Sequence, residues 1–507
     1  MRNGTLAAQA RIFGMRAVEV FGNLGVEILH GRGHGAVHMS RRNAMQALSS
    51  VARHVLKGEF VNQGSTGGIG PGSYRAPENA ASERIESSVG GKVVRHLVIP
   101  AALYILIGAI DRTNVGFAAL EMNKALGLSG TQYGFGAGVL FVGYMIAKYP
   151  SVLLYEAIGL RRWLTLITAA WGLCSCLMAA VANEWQLYAL RVLIGFSEGG
   201  LSSGLMLYLS LWAPERFRAT ILAIPIASIS IAQVVGAPIS GLLLDLDRPL
   251  GLESWRFMFL VEALPALALA AFAWLHFPDT PADARWLTAT ERDWIAANVK
   301  GARKPAPGQG AERWAVLRSP EGWLCAAIWF CILASNYGIM FWLPQVVKSL
   351  SGLSSAMTGV IVALPWAASG IGLVLNARHS DRTGERYLHV AIPAVVGGAG
   401  LLLAYIFGAG LPGLVALVIG GACTGCTVAA FWAIPTRLLS PGALAMGIVA
   451  INMTGSLAGA TVPPLMGYLR ETTGSFLPPA LLLCGIAVVC ACLTLVARRV
   501  AARAEAQ

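Results

Sequence analysis

Asp111 and Arg112 stand next to each other in the first long apolar stretch of the sequence, Leu97–Phe117. At the centre of a membrane helix each costs ~2.5–3.5 kcal/mol, so a chain that keeps both there marks a site for a solute or a proton. A guanidinium attracts an anion, and a carboxyl takes up a proton. Neighbouring residues are about 100° apart around a helix, so one of the two can face a cavity while the other faces an adjacent helix. The structural alternative is an ion pair with another helix. Arg191 and Glu198 form a second charged set. Seven residues are close to two turns, about 10 Å along the axis, so each is expected to find its partner on another helix. Tyr144 and Lys148, four apart, share a face. Lys148 has three roles open to it: an anion contact, a partner for Asp111 or Glu198, or a snorkelling side chain with its ammonium at the surface. In a cavity it would favour substrates with two carboxylates.

The elements that position these residues follow from composition. Of 507 residues, 56% are hydrophobic and 13% charged, and the mean hydropathy is +0.62. Those values place the chain among multi-span membrane proteins. The net charge of +12 does not point to nucleic acid, because the basic residues punctuate apolar runs instead of forming one patch. All nine cysteines lie inside apolar runs. Cys423 and Cys426 have metal or redox spacing but no second ligand pair, and read as small buried thiols. No HExxH motif is present and no histidine cluster falls within an apolar run, so neither an enzyme nor a resident metal or cofactor is expected.

Twelve runs approach the ~20 residues that a spanning helix needs. Six are Leu97–Phe117, Phe135–Leu154, Trp163–Val181, Leu187–Leu209, Ala219–Leu244 and Phe257–Phe277. Six more are Leu324–Leu343, Ala356–Leu375, Ala391–Phe407, Leu414–Ile434, Leu444–Leu465 and Phe476–Val496. Lys and Arg gather on alternate connections. One side holds Arg161, Arg162, Arg216, Arg218, seven within 278–318, Arg378, Arg382, Arg386, Arg437, Arg498, Arg499 and Arg503. The other holds Lys124, Arg248, Arg256, Lys348 and Arg470. The richer side is cytoplasmic by the positive-inside rule, which puts both termini in the cytoplasm. The expected organisation is a disordered cytoplasmic tail (1–94), a six-helix bundle (95–277), a cytoplasmic loop (278–318), a second six-helix bundle (319–497) and a short cytoplasmic tail (498–507). The first tail reads equally as an extended gene start, with Met45 as a later one. His30, His34 and His38 share a helical spacing there, among too many glycines to suggest a metal site.

Several segments carry a family resemblance: AIDRTNVGFAAL around Asp111, GLRRW (Gly159–Trp163), RVLIGFSEGG around Glu198, and WRFMFLVEALPA around Glu262. FPDTPADARWLT, YGIMFWLPQVVKSL, RHSDRTGER and FWAIPTRLLS continue it in order. Together they resemble the anion:cation symporter branch of the major facilitator superfamily, over about residues 92–498. The resemblance implies an all-α membrane protein of twelve transmembrane helices in two pseudo-symmetric six-helix bundles, working by alternating access. It implies proton-coupled symport of a small organic carboxylate such as a sugar acid, a tartrate-like dicarboxylate or an aromatic acid.

Residue by residue, the resemblance assigns proton coupling to Asp111 and Glu198, substrate attraction to Arg112, substrate proximity to Tyr144 and support to Arg191. Lys148 departs from the family, where Gln or Glu is commoner. Gln233, Asn336, Tyr337, Trp432 and Asn452 lie in apolar runs of both halves and suit a cavity shared between bundles, although each alone suits packing. Asp381, Arg382, Gly384 and Arg386 are expected to form a cytoplasmic latch. Gly159–Arg162 lacks the Asp-Arg of a full motif, so a latch in the first half must be weaker or built differently. Glu262 reads as a packing anchor near the outer end of its run. The expected partners are a small organic anion, protons and the lipid bilayer of the cytoplasmic membrane, with the protein a monomer. An antiporter or exporter, and a non-transporting anion sensor, are the alternatives.

Overall fold

The computed structural model describes residues 77–299 and 316–505. The histidines at 30, 34 and 38 lie outside the described residues. Among the described residues the chain is helical and contains no strand. Among the described residues, twelve helical stretches are long and apolar enough to cross a bilayer.

In chain order the first-half helices are α1 (Pro77–Val93), α2 (Ile99–Ala125), α3 (Gly130–Ile158), α4 (Leu160–Leu177), α5 (Glu184–Glu198), α6 (Leu201–Ser210), α7 (Arg218–Leu244) and α8 (Ser254–His276). The connecting segment carries α9 (Ala289–Asn298). The second half holds α10 (Pro320–Ser351), α11 (Ser355–Thr383), α12 (Leu388–Phe407), α13 (Leu411–Phe431), α14 (Pro435–Leu438), α15 (Pro441–Thr473) and α16 (Leu477–Glu505). A π-helical turn, Val94–Val98, joins α1 to α2, and Gly199 and Gly200 break the fourth span between α5 and α6.

Two expected boundaries move. The segment before residue 95 is helical from Pro77, because Val89 and Val93 are four apart and both buried. Lys92 and Ser88 on the same helix reach Glu291 of α9 at 2.7 and 2.8 Å. The last span continues to Glu505, with Ala497 and Ala501 buried and Arg498 3.9 Å from Glu385. Within the loop 278–318 the described residues include a helix, α9, which starts in a capping box between Thr288 and Glu291.

The halves meet chiefly through two pairs of helices, α3 against α15 and α7 against α11, with α2 also packed on α10. At the face opposite α1 and the end of α16 these pairs are pressed together. A Cβ on Gly130 would lie 2.9 Å from the Gly467 carbonyl, and one on Gly138 would lie 2.9 Å from that of Ala460. Two carboxylates seal that face. Asp245, after α7, accepts the N–H groups of Ser355 and Ala356 at 2.8 and 2.9 Å. Glu471, near the end of α15, accepts that of Thr131 at 2.9 Å. Towards the other face the approach of α7 and α11 relaxes to ordinary van der Waals contact, a Cβ on Gly370 lying 3.7 Å from that of Ser230.

Candidate functional site

Close helix packing fixes the charged residues. α3 and α5 touch backbone to backbone, because a Cβ on Gly195 would run into the Leu140 carbonyl and one on Gly143 into that of Val192. This contact sets Tyr144 of α3 beside the end of α5, where Glu198 is the last residue before the glycine break.

Arg112 projects from α2 into this corner. Its Nη2 donates to Glu198 Oε2 at 2.9 Å, with the Arg side chain 22% exposed and the Glu side chain fully buried. Its guanidinium lies 5.4 Å from the centre of the Tyr144 ring, and Lys148 Nζ lies 5.5 Å from the same centre. Tyr337 of α10 brings the second half to the site, close enough to feel the Arg112 charge, and its ring is 4.3 Å from that of Phe141. The ion pair is held by one hydrogen bond, leaving Arg112 Nε and Glu198 Oε1 buried without partners. An arginine engaged on one edge keeps donors free for a second anion.

Asp111 turns the other way. It is 3% exposed and accepts hydrogen bonds from Trp171 Nε1 at 2.7 Å, Ser175 Oγ at 2.7 Å and Asn114 Nδ2 at 3.1 Å. It thus faces α4, behind the corner that Arg112 enters. Arg191 is 1% exposed and donates to the Gly136 and Ala137 carbonyls of α3 at 3.3 and 3.4 Å, within electrostatic reach of both Asp111 and Glu198. Lys148 is half-buried and has no ion-pair partner among the described residues.

The remaining sequence candidates scatter. Gln233 is buried on α7, while Asn336 is half-buried on α10, one residue before Tyr337. Trp432 packs on Trp329 and Phe431 at 4.7 and 5.3 Å inside the second half. The Asn452 amide donates to Ile448 of its own helix. Of these five, only Tyr337 is shown against the Arg112–Tyr144 corner.

The latch residues keep within the second half. Arg386 bonds Asp381 at 2.5 Å and Ser380 at 2.9 Å. Gly384, at φ +69°, ends α11 and offers its carbonyl to Arg437. Arg382 is exposed. In the first half the missing aspartate arrives from elsewhere: Asp279 accepts the Arg161 N–H at 2.9 Å, beside Gly159 at φ +79°.

Residues that sequence reasoning passed over include Asn114, Trp171 and Ser175. The signal was present, because Asn114 is one turn from Asp111 and Trp171 and Ser175 are four apart on one face. Glu262 lies deeper than a peripheral anchor: it is 6% exposed and accepts Ser240 Oγ at 2.7 Å.

Two six-helix halves with a charged corner at their junction have the architecture of a membrane transporter built from repeats. The sequence matches the Major Facilitator Superfamily over residues 101–463. The chain belongs to that superfamily. It is 38% identical over 82% of its length to a protein of Agrobacterium vitis named "Putative tartrate transporter", of which it covers 96%. It is 32% identical to a quinolone resistance transporter of Acinetobacter baumannii, over 76% of this chain and 89% of that protein. Among solved structures, a bacterial homologue of the human lysosomal transporter Spinster, inward-facing and occupied, superposes with a TM-score of 0.67. The identity is 15%, over 80% of this chain and 97% of that one.

Proposed function

We propose that this chain is a proton-coupled symporter that imports a small organic carboxylate across the cytoplasmic membrane, with both termini in the cytoplasm. The observation that carries the reading is the half-used ion pair of Arg112 and Glu198 beside Tyr144 and Tyr337. When Glu198 takes a proton, Arg112 loses its internal anion and is free to hold a substrate carboxylate. Tyr144 supplies a hydroxyl and a ring face, and Asp111 supplies a second proton-accepting group behind the site. A loaded site that is nearly charge-balanced is cheaper to close into a low-dielectric interior than a charged one. On opening to the more alkaline side the proton leaves, Glu198 recaptures Arg112 and the anion is expelled.

The tartrate name of the Agrobacterium vitis relative supports the carboxylate class. In this reading the sealed face is external and the protein is a monomer open to the cytoplasm. The Asp381–Arg386 cluster then acts as a cytoplasmic brace of the second half. Carboxylate uptake into proteoliposomes under an imposed pH gradient is the test. Wild-type protein accumulates the anion, and Asp111→Asn and Glu198→Gln abolish gradient-driven accumulation. Persistence of accumulation in both variants overturns the reading. The quinolone resistance relative favours a second reading, proton-driven export. Reversing the gradient distinguishes the two, because a symporter accumulates substrate on the side that protons enter.

A further inference from the structure

Glu262 sits on α8 with its carboxyl buried, and no cation contacts it among the described residues. Ser240 Oγ of α7 donates to its Oε1, while Oε2 has no partner. Asn114 of α2 lies within hydrogen-bonding reach of the same carboxyl. The Asn114 amide already donates through Nδ2 to Asp111, and its Oδ1 is a second buried orphan. Two buried acceptor oxygens on neighbouring side chains are thus left without a donor, which is costly. One proton satisfies both.

We propose that Glu262 carries that proton as a carboxylic acid, donating from Oε2 to Asn114 Oδ1, and is a third proton-coupling residue of this site. An amide has one donor end and one acceptor end. Standing between two carboxyls, Asn114 serves one ionised acid and one protonated acid, whichever way it is flipped. In this conformation all three contacts of Asp111 are donors, which makes Asp111 the ion and Glu262 the acid. Asp111 is the charged group that faces Glu262 from α2, and Ser240 and Asn114 are its polar contacts from α7 and α2.

Charge in the first half gives the proton a consequence. Asp111 and Glu198 oppose Arg112 and Arg191, leaving Lys148 as one net positive charge when Glu262 is neutral. Ionising Glu262 cancels that charge and weakens the hold on an anion. Import therefore ties the Glu262 proton to substrate, which rests on the symport reading above, whereas the protonation itself does not.

Two measurements on the purified full chain test this. Infrared spectra at neutral pH are expected to contain a protonated-carboxyl C=O band that shifts with labelled glutamate and disappears in Glu262→Gln. In proteoliposomes Glu262→Gln, whose amide can donate to Asn114 in place of the acid, is expected to bind anion and to translocate one proton fewer per anion. If the labelled wild-type band is absent, the proposal fails, whether or not the variant folds. If Glu262→Gln keeps the wild-type proton count, the coupling role fails while the carboxylate reading stands. Absence of all carboxylate uptake in wild type would sink that reading and the coupling role and leave the infrared result to decide the protonation.

Discussion

Asp245 and Glu471 occupy matching places in the two halves. Each lies at the end of the span that crosses to the other bundle, and each accepts backbone N–H groups from the first turn of the helix opposite, α11 for Asp245 and α3 for Glu471. A carboxylate there meets unsatisfied donors and the positive end of a helix dipole. The two caps exist only while that face is shut.

Removing the caps should therefore shift the conformational balance without unfolding either bundle. Both contacts are lost when the face opens, so each favours the closed form. Asp245→Ala with Glu471→Ala is expected to move the closed-to-open ratio at this face about tenfold, with each single variant intermediate. Asn is a poor choice at 245, because its carbonyl still caps. Labelling of a cysteine introduced beneath the seal, or distances between spin labels across it, reads the shift. Unchanged accessibility in the double variant would deny the caps a gating role. Burial opposes the Asp245 charge, but N–H donors from Ala356 and Ser355 and the Ser354 hydroxyl outweigh it and hold its carboxyl below its usual range. The cap is thus fully present above about pH 4 and weakens as pH falls through that lowered value. Between pH 5 and 8 the seal should not respond through Asp245.

The clamp between α1 and α9 carries a similar dependence. Burial works against the charge on Glu291, yet Lys92, the Thr288 N–H and the Ser88 hydroxyl hold its carboxyl at about 2. Its contribution is complete above the unfolded value of about 4.3 and is lost as pH falls towards 2. Glu291→Gln removes the ion pair at all pH values. Because Lys92 is 33% exposed, solvent screening keeps the expected loss to about 1 kcal/mol. Faster proteolysis between α8 and α10, at unchanged transport-site binding, is the expected readout. Equal cleavage rates would mean that the contact does not hold α9.

How much of this was legible beforehand depends on range. The twelve spans follow from local composition, so apolar runs sufficed. That Asp111 and Arg112 diverge follows from helix geometry alone. What separates them into a packed aspartate and a partly exposed arginine is which helices lie alongside, and no local pattern encodes that α4 delivers Trp171 and Ser175 to one while α5 delivers Glu198 to the other. The first-half brace is the clearest case. GLRRW lacks an acid, and the acid that completes it is Asp279, 118 positions away. For Trp432 and Asn452, polar atoms in apolar runs suggest a cavity, whereas the contacts they make are ring stacking on Trp329 and an amide hydrogen bond to the same helix, which no local pattern encodes.

The Arg112–Glu198 pair makes a prediction about chemistry rather than size. Arg112→Lys keeps the charge but loses the planar fork, so it should bind carboxylate much more weakly. Arg112→Ala leaves Glu198 buried without its cation, a loss of about 3–5 kcal/mol for such pairs, and should destabilise the fold itself. Glu198→Gln should do neither, since a neutral amide resembles the protonated acid. Thermal stability with and without ligand separates the three, and equal behaviour of Arg112→Lys and wild type would remove Arg112 from the binding site.

Lys148 offers the sharpest handle on selectivity. Its ammonium and the Arg112 guanidinium are each about 5.5 Å from the centre of the Tyr144 ring, so they lie within about twice that of one another. A ligand with two carboxylates can reach both cations, whereas a monocarboxylate uses one. Removing an unpaired cation from a partly desolvated site costs an anion about 1.5–3 kcal/mol when it accepted a charged hydrogen bond there. Lys148→Met, which keeps the apolar stem, is expected to weaken dicarboxylates about tenfold or more and monocarboxylates far less. Competition by a matched series of mono- and dicarboxylates against one labelled substrate gives the ratio. A uniform loss across the series would assign Lys148 to general attraction of anions, and no loss would place its ammonium outside the path of the substrate.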